Sequence, residues 1–138
     1  MGIKTLFSKL AEEAIADLKR LPQPVVRLSG PLTTGGFGYE ENAKRFEKAE
    51  AVLKNRGLNV FSYEPYEDRI YAVYDSSMHE DVMTLFHTPI LEIGLIKEAY
   101  FLPRWEESKG ASYEHELCKR LGITVKAFEE SWFRTKQS

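Results

Sequence analysis

The sequence predicts a single α/β domain: a three-layer parallel sheet of the flavodoxin or Rossmann type, with an extra helix at the N-terminus. Segments with strand and helix character alternate along the chain, and the connections between successive strands are long enough to hold a helix. Such alternation is typical of parallel sheets with helices on both faces. The chain has 138 residues without an internal repeat or linker, so residues 1–138 are expected to form one unit.

The first half of the chain is expected to contain two helices and two strands. Apolar residues recur at helical spacing over residues 3–20, and Pro22 and Pro24 in "LPQP" end that helix,. "VVRLSG" is typical of a short buried strand, and "PLTTGGFG" of a loop. A second helix is predicted over residues 40–55, with Gly57 where a C-terminal cap belongs, and "LNVFS" is the second strand,.

The middle of the chain is less regular. "YEPYEDRIYAVYD" indicates a loop with some extended structure. "SMHE" matches a capping box, with Ser77 as the N-cap and Glu80 three residues later,. Because Pro89 interrupts the helix that should follow, we expect two pieces, over residues 78–87 and 89–97.

The last third predicts two strands and two helices. "AYFLP" is the third clear strand, and residues 110–121 form a helix that Gly122 ends,. "ITV" is a short final strand, and "KAFEESWFRTK" is a terminal helix.

Composition excludes several classes of function. A net charge of -2 gives no basic surface for nucleic acid,. The single cysteine, Cys118, can form neither an intramolecular disulfide nor a zinc cluster, which favours a cytoplasmic location,. No apolar run reaches the roughly 20 residues that span a bilayer, so no membrane partner is expected. The three histidines lack metal-site spacing, so no metal is expected either: His79, His87 and His115,.

Two loops have the composition of a binding site. They are "SGPLTTGGFG" after the first strand and "PRWEESKGA" after the third. In open parallel sheets, ligands bind beyond the carboxyl ends of the strands. The first loop has glycines that let backbone N–H groups approach a phosphate or sugar, but it lacks the Walker and GxGxxG patterns. No cofactor is therefore expected, and a flexible connecting loop would explain the glycines equally well.

The second loop leads into a helix with a carboxylate about one turn from its start. In "SKGASYEHE", Ser108 and Gly110 suit a helix N-terminus that binds an anion, and Glu114 directs a negative charge toward the same place,. Ordinary capping explains the pattern too, since acids are favoured in the first turn of any helix. Trp105 has two interpretations as well, stacking on a base or plain packing.

Taken together, "VVRLSGPLTTG", "ENAKRFEKAEAVLKNRGLNVFS" and "AYFLPRWEESKGASYEHELCKRLGITV" resemble the nucleoside 2-deoxyribosyltransferase superfamily. The resemblance is to its small phage and bacterial members, including the 2'-deoxynucleoside 5'-phosphate N-hydrolases. Their pattern runs Gly-Pro-Ile/Leu-Thr-Gly after a strand, then Leu-Pro-x-Trp-x-x-Ser-x-Gly-Ala-x-x-Glu. The match covers residues 25–126 and leaves residues 1–22 as an N-terminal helical extension.

The resemblance implies a reaction and a set of residues. Glu114 would attack the anomeric carbon of a 2'-deoxynucleoside or its 5'-monophosphate, expel the base and form a glycosyl ester, which water or another base resolves. Ser108 would hold the 5'-phosphate, and Trp105 or an aromatic residue from 61–74 would cover the base. Further substrate contacts would come from Arg27, Ser29, Gly30, Pro31, Leu32 and Gly110. Family members form dimers or larger assemblies, so a homo-oligomer is implied.

Three departures from the family pattern leave alternatives open, and one of them is that the acid expected just before the third strand is replaced around Lys97. Arg27 stands where a tyrosine is common, and it could strengthen phosphate binding. Pro89 stands where an acid is usual, which leaves Asp81 and Glu92 as displaced candidates for a supporting acid. Hydrolysis of a nucleotide is favoured over base transfer. The rivals are a nucleotide-binding protein without turnover and an interaction protein that uses an exposed N-terminal helix. The enzymatic hypothesis requires a cavity beside Glu114; a carboxylate sealed in a salt bridge without one would refute it.

Overall fold

The computed structural model describes residues 2–134. Four parallel strands form one sheet in the order β2-β1-β3-β4. The strands are β1 (Val25–Ser29), β2 (Asn59–Val60), β3 (Ile96–Phe101) and β4 (Thr124–Ala127). Helices cover the sheet, so the predicted three-layer α/β fold is confirmed.

Within residues 2–134, six α-helices connect and flank the strands. They are α1 (Ile3–Lys19), α2 (Tyr39–Asn55), α3 (Glu64–Tyr71), α4 (His79–Val82), α5 (Thr88–Glu92) and α6 (Lys109–Leu121). A π-helical turn, Met83–His87, joins α4 to α5, and short 3₁₀ turns occupy Ser76–Met78, Trp105–Glu107 and Glu130–Arg134. Within residues 2–134, none of these helices has the length and apolarity needed to cross a bilayer.

The side chains of β1 supply both cores, because alternate residues of a strand point to opposite faces of its sheet. Val25 packs with α1, α5 and α6 on one face, and Val26 and Leu28 pack with α2 on the other. All five residues of β1 are buried. Burial on both faces explains why this segment is a near-continuous apolar run rather than an alternating one.

The N-terminal helix is present as predicted, but it is part of the core. Its buried residues are Phe7, Leu10, Ala11, Ala14 and Leu18, none more than 2% exposed. A fully buried Leu or Phe contributes roughly 1.5–3 kcal/mol. This face of α1 is therefore occupied by the core, and assembly through the exposed face of the helix stays a prediction.

The prediction of a loop over "YEPYEDRIYAVYD" is also wrong, because the segment contains α3. Pro65 lies in the first turn of that helix, where its missing N–H costs nothing,. Tyr66 and Ile70, four residues apart, are both buried against the core. The predicted second strand is shorter than expected, since only Asn59 and Val60 pair with β1.

The helical segment before β3 differs from its prediction in three ways. Asp75, not Ser77, is the N-cap, and its carboxylate accepts a 2.8 Å hydrogen bond from the Ser77 N–H group. Pro89 does not separate two helices, since it lies in the first turn of α5 and the helical path continues through the π turn. The helix ends at Glu92 rather than at residue 97, because Gly94 takes a left-handed φ of 86° before β3.

The C-terminal segment is also less helical than predicted. β4 begins at Thr124, and the residues after it form only the 3₁₀ turn Glu130–Arg134. The remainder of the predicted terminal helix lies outside the described residues. Trp132 of this turn packs on Phe128, so it closes the core on the α2 side of the sheet.

Candidate active site

A cavity of about 270 Å³ lies beyond the carboxyl ends of β1 and β2. Its walls come from the end of β1, the segment after β2, α2, α3 and the start of α6. The size is near the lower end for small-molecule sites. The position is where a parallel sheet of this type binds ligands.

The two loops that the sequence analysis selected meet beside this cavity. The Gly36 N–H group donates a 3.0 Å hydrogen bond to a Glu107 carboxylate oxygen. The Lys109 N–H group donates a 3.0 Å hydrogen bond to the Thr34 hydroxyl. Gly35 allows this approach, since a Cβ there would lie 2.6 Å from the Glu107 backbone carbonyl carbon. The glycines of the first loop are therefore needed for contact between the loops.

Glu114 lies at the cavity wall in a buried ion pair. Arg27 Nη2 donates to Glu114 Oε1 at 2.7 Å, and Arg27 Nε donates to Oε2 at 3.3 Å. The two side chains are only 6% and 5% exposed. Both residues also line the cavity. The carboxylate is thus paired but not sealed away from the space where a ligand would bind.

His87 and Tyr63 complete the surroundings of the Arg27 guanidinium. Its Nη2 lies 3.3 Å from His87 Nδ1, and its carbon lies 3.4 Å from the Tyr63 ring centroid. Arginine can only donate, so His87 Nδ1 accepts and the ring proton is on Nε2. Burial, opposed by the charge of Glu114 and assisted by the nearby guanidinium, lowers the pKa of His87 to about 4. His87 is therefore neutral near pH 7.

The electrostatics keep Glu114 ionised. Burial alone would raise the pKa of the carboxyl, but the charge of Arg27 and the hydrogen bonds from Arg27 hold it below its ordinary value. A positive group within about 4 Å stabilises the charged form of an acid. Near neutral pH the site therefore contains a desolvated carboxylate.

The start of α6 is capped by a side chain and is also part of the cavity wall. Ser108 is the N-cap of α6, and its hydroxyl oxygen accepts a 3.2 Å hydrogen bond from the Ala111 N–H group. Ser108, Gly110 and Ala111 all line the cavity. The positive end of the helix dipole therefore faces the same space as Glu114.

The structure brings together most of the predicted site residues. Those that line the cavity are Arg27, Ser29, Gly30, Leu32, Ser108, Gly110 and Glu114. The expected role of Arg27 in phosphate binding needs correction, because its guanidinium is engaged by Glu114 and His87. Pro31 is buried, yet it is not among the described residues that line the cavity.

Among residues 2–134, three residues that were expected at the site do not line the cavity. Trp105 is not part of its wall, because the indole stacks on His115 with centroids 3.9 Å apart. The contact with His115 agrees with the packing interpretation of that residue. Asp81 and Glu92 do not line the cavity either, and Glu92 is exposed at the end of α5. Neither is placed to support Glu114.

Sequence reasoning missed the contribution of α3. Tyr63, Glu67 and Tyr71 are spaced four residues apart, so they lie on one face of the helix, and all three line the cavity,. Aromatic residues from 61–74 therefore line the cavity, and their expected role in covering a base stays a prediction. The spacing was visible in the sequence, but the assignment of a loop hid it.

Among residues 2–134, no group of three or more histidine, cysteine, aspartate or glutamate side chains is arranged to hold a metal ion. The sequence model of the family described as "Domain of unknown function (DUF4406)" matches residues 24–127. This range holds the whole sheet and every cavity residue described above, and the chain belongs to that family. Searches of curated proteins and of solved structures found no match.

Proposed function

We propose that this member of the DUF4406 family cleaves the N-glycosidic bond of a 2'-deoxynucleoside 5'-monophosphate, with hydrolysis favoured over transfer to another base. The resemblance to nucleoside 2-deoxyribosyltransferases suggests the substrate class. One observation carries the proposal: the ionised, buried carboxylate of Glu114 lines a cavity next to a helix N-terminus. A nucleophile and an anion-binding group in one cavity suit a phosphorylated sugar.

The pairing with Arg27 is compatible with nucleophilic attack. A carboxylate has about four lone-pair positions on its two oxygens, and Arg27 takes two of them,. A lone pair of Glu114 forms the bond to the anomeric carbon, while the pair of the C–N bond leaves with the base. Water then attacks the same carbon, and the ester C–O bond breaks to return the carboxylate. The products are the free base and 2-deoxyribose 5-phosphate.

The start of α6 is the proposed phosphate subsite. Ser108 is buried beside the cavity, and its hydroxyl hydrogen is available for donation because the oxygen acts as the acceptor in the cap. Gly110 leaves the backbone accessible, since a Cβ there would meet only Met83 and His79 side-chain atoms at 3.6 Å and 3.9 Å. Gly30 lies at the end of β1 across the cavity and would contact the sugar.

The direct test is release of free base, followed by chromatography, from each 2'-deoxynucleoside 5'-monophosphate. Wild type should release base, and Glu114→Gln should lose at least about 10³-fold in rate, the order expected when a covalent nucleophile is removed. Glu116→Gln is the matched control, because that residue is an exposed glutamate on the same helix. Equal losses in both variants would contradict the proposal.

A companion test concerns the phosphate. Ser108→Ala should weaken activity on nucleotides more than on the corresponding nucleosides. Equal losses on both substrate types would show that the serine acts only as a helix cap.

Size-exclusion chromatography with light scattering tests the further proposal, taken from the resemblance, that the protein works as a homo-oligomer.

A nucleotide-binding protein without turnover is the second candidate. It is favoured by the bidentate contact of Arg27, which engages both oxygens of Glu114 in the ligand-free protein. Charge neutralisation of this kind reduces nucleophilicity. Deoxynucleotide-dependent thermal stabilisation without any release of base would support this alternative.

A further inference from the structure

We propose that Glu67 is the proton donor to the leaving base, and that the Tyr63 hydroxyl binds the same base. This inference rests on the proposed function and extends it, because a nucleophile alone does not neutralise the charge that develops on the departing nitrogen. The two residues lie one helical turn apart and line the same cavity as Glu114. They form its α3 wall.

The Tyr63 hydroxyl is a buried polar group that lacks a partner. Tyr63 is 6% exposed, and no hydrogen-bonding atom of residues 2–134 satisfies its hydroxyl. Buried polar atoms without a partner are uncommon, and each one costs stability. Since the Tyr63 side chain lines the cavity, a polar atom of a ligand is the partner that the arrangement favours.

Glu67 differs from Glu114 although the two carboxyls line one cavity. The Arg27 guanidinium pairs with Glu114 and so leaves Glu67 without that stabilising contact. Burial raises the pKa of Glu67 to about 7; Arg27 opposes this change, and the charge of Glu114 adds to it. Neighbouring carboxyls with separated pKa values are the usual pattern for a nucleophile and an acid. The half-buried Glu67 therefore holds a proton at a pH where Glu114 does not.

Other titratable groups on the same walls could influence Glu67. On its own helix, Glu64 and Asp68 raise its pKa. The charged and histidine residues of other elements that line the same cavity are Arg27 of β1, Lys44, Glu47 and Glu50 of α2, His79 and His87 before α5, and Glu114 of α6; of these, Arg27 lowers and Glu114 raises the pKa of Glu67. His87 is neutral, with its pKa lowered to about 4 chiefly by burial, and so is a poor proton donor near neutral pH.

The proton is conserved over the reaction. The Glu67 carboxyl transfers its proton to a ring nitrogen of the base as the C–N electron pair moves onto the base and Glu114 bonds to the sugar. The Glu67 carboxylate then accepts a proton from the water that attacks the sugar carbon. Glu114 is released as a carboxylate, and Glu67 ends as the acid again.

A substrate with an activated leaving group tests this role. The base of N7-methyl-2'-deoxyguanosine 5'-monophosphate is already cationic and departs without protonation. We expect Glu67→Gln to lower kcat/KM for release of the base from 2'-deoxyguanosine 5'-monophosphate by about 10²–10⁴-fold. On the methylated substrate, after subtraction of uncatalysed release, kcat/KM for release of the base should stay within about tenfold of wild type, because that step precedes the attack of water in which Glu67 accepts a proton. Glu116→Gln is the control, and circular dichroism checks the fold.

Two readouts separate an acid from a structural residue. In wild type, kcat/KM for the unmethylated substrate should fall as the pH rises through about 7, and the methylated substrate should not show this limb. Tyr63→Phe should raise KM for both substrates while leaving the melting temperature unchanged or higher. An equal loss of kcat/KM for base release on both substrates in Glu67→Gln, or no loss on either, would overturn the acid role. Wild type inactive on both substrates would instead remove the proposed function itself.

Discussion

The ion pair between Arg27 and Glu114 provides a quantitative test of how burial controls this site. Replacing Arg27 with methionine keeps much of the side-chain volume but leaves a carboxylate in a cavity wall without its cation. Removing one partner of a buried pair costs about 3–5 kcal/mol. Arg69 and Glu13 form the matched control, since their N–O distance is also 2.7 Å but their side chains are 55% and 47% exposed. An exposed pair of this kind contributes about 0–1 kcal/mol.

The assay is urea denaturation of wild type, Arg27→Met and Arg69→Met at a series of pH values. With Arg27 present, the pKa of Glu114 lies below its ordinary value, so its contribution to stability is present above about pH 4.5 and is lost as the pH falls through the lower folded-state pKa,. In Arg27→Met, burial without a cation reverses the direction of the shift. The stability deficit of this variant should therefore be largest near neutral pH and shrink in acid.

Two results would refute this reasoning. The first is a similar loss of stability in Arg27→Met and Arg69→Met, because burial would then have no influence on the strength of the pair. The second is a deficit in Arg27→Met that does not change with pH, since that result would assign the loss to packing rather than to the charge of Glu114.

Three further predictions concern other parts of the fold. The pKa of Glu67, raised to about 7 chiefly by burial, means that the native state keeps a proton which the unfolded chain loses near 4.5. The free energy of unfolding should therefore decline from about pH 4.5 to 7, and Glu67→Gln should flatten that decline in urea titrations. Gly35→Ala should destabilise the protein more than Gly122→Ala. Both glycines have a left-handed φ, which costs an alanine roughly 1–2 kcal/mol. Only at Gly35 would a Cβ also meet backbone atoms, 2.6 Å away. Thermal denaturation compares them, and equal losses would contradict the close approach of the two loops. Leu10→Ala should lower the free energy of unfolding by about 2–5 kcal/mol. Ile3→Ala should lower it much less, since Leu10 is fully buried and Ile3 is 39% exposed. Similar losses in the two variants, measured by urea denaturation, would place α1 outside the core.

Local patterns were sufficient where one physical signal dominated a segment. The buried run "VVRLS" predicted β1, and Ser108 and Gly122 marked both ends of α6. The same loops and capping residues located the cavity, because chain connectivity in a parallel sheet brings the carboxyl ends of its strands to one edge. Glu114 could be selected from the sequence for this reason.

Where competing signals overlapped, local patterns failed. The tyrosines, the aspartates and the proline of "YEPYEDRIYAVYD" have weak helical preference, and contacts of Tyr66 and Ile70 with the core determine that α3 forms,. The misassignment hid Tyr63 and Glu67, which proved to line the site. Trp105 failed for a related reason, since only the packed structure brings His115 against its ring.

By itself, the sequence determined the parallel α/β architecture, the two loops beside the cavity and the presence of one carboxylate between them. These features follow from periodicity, turn residues and helix caps, which act over a few neighbouring positions. Only the tertiary structure decided the state of that carboxylate. The partners Arg27 and Glu114 are 87 positions apart, and Arg27 and His87 are 60 apart. Ionisation in a buried site depends on which charges are within a few ångströms and how much water is excluded, and both are properties of the packed fold.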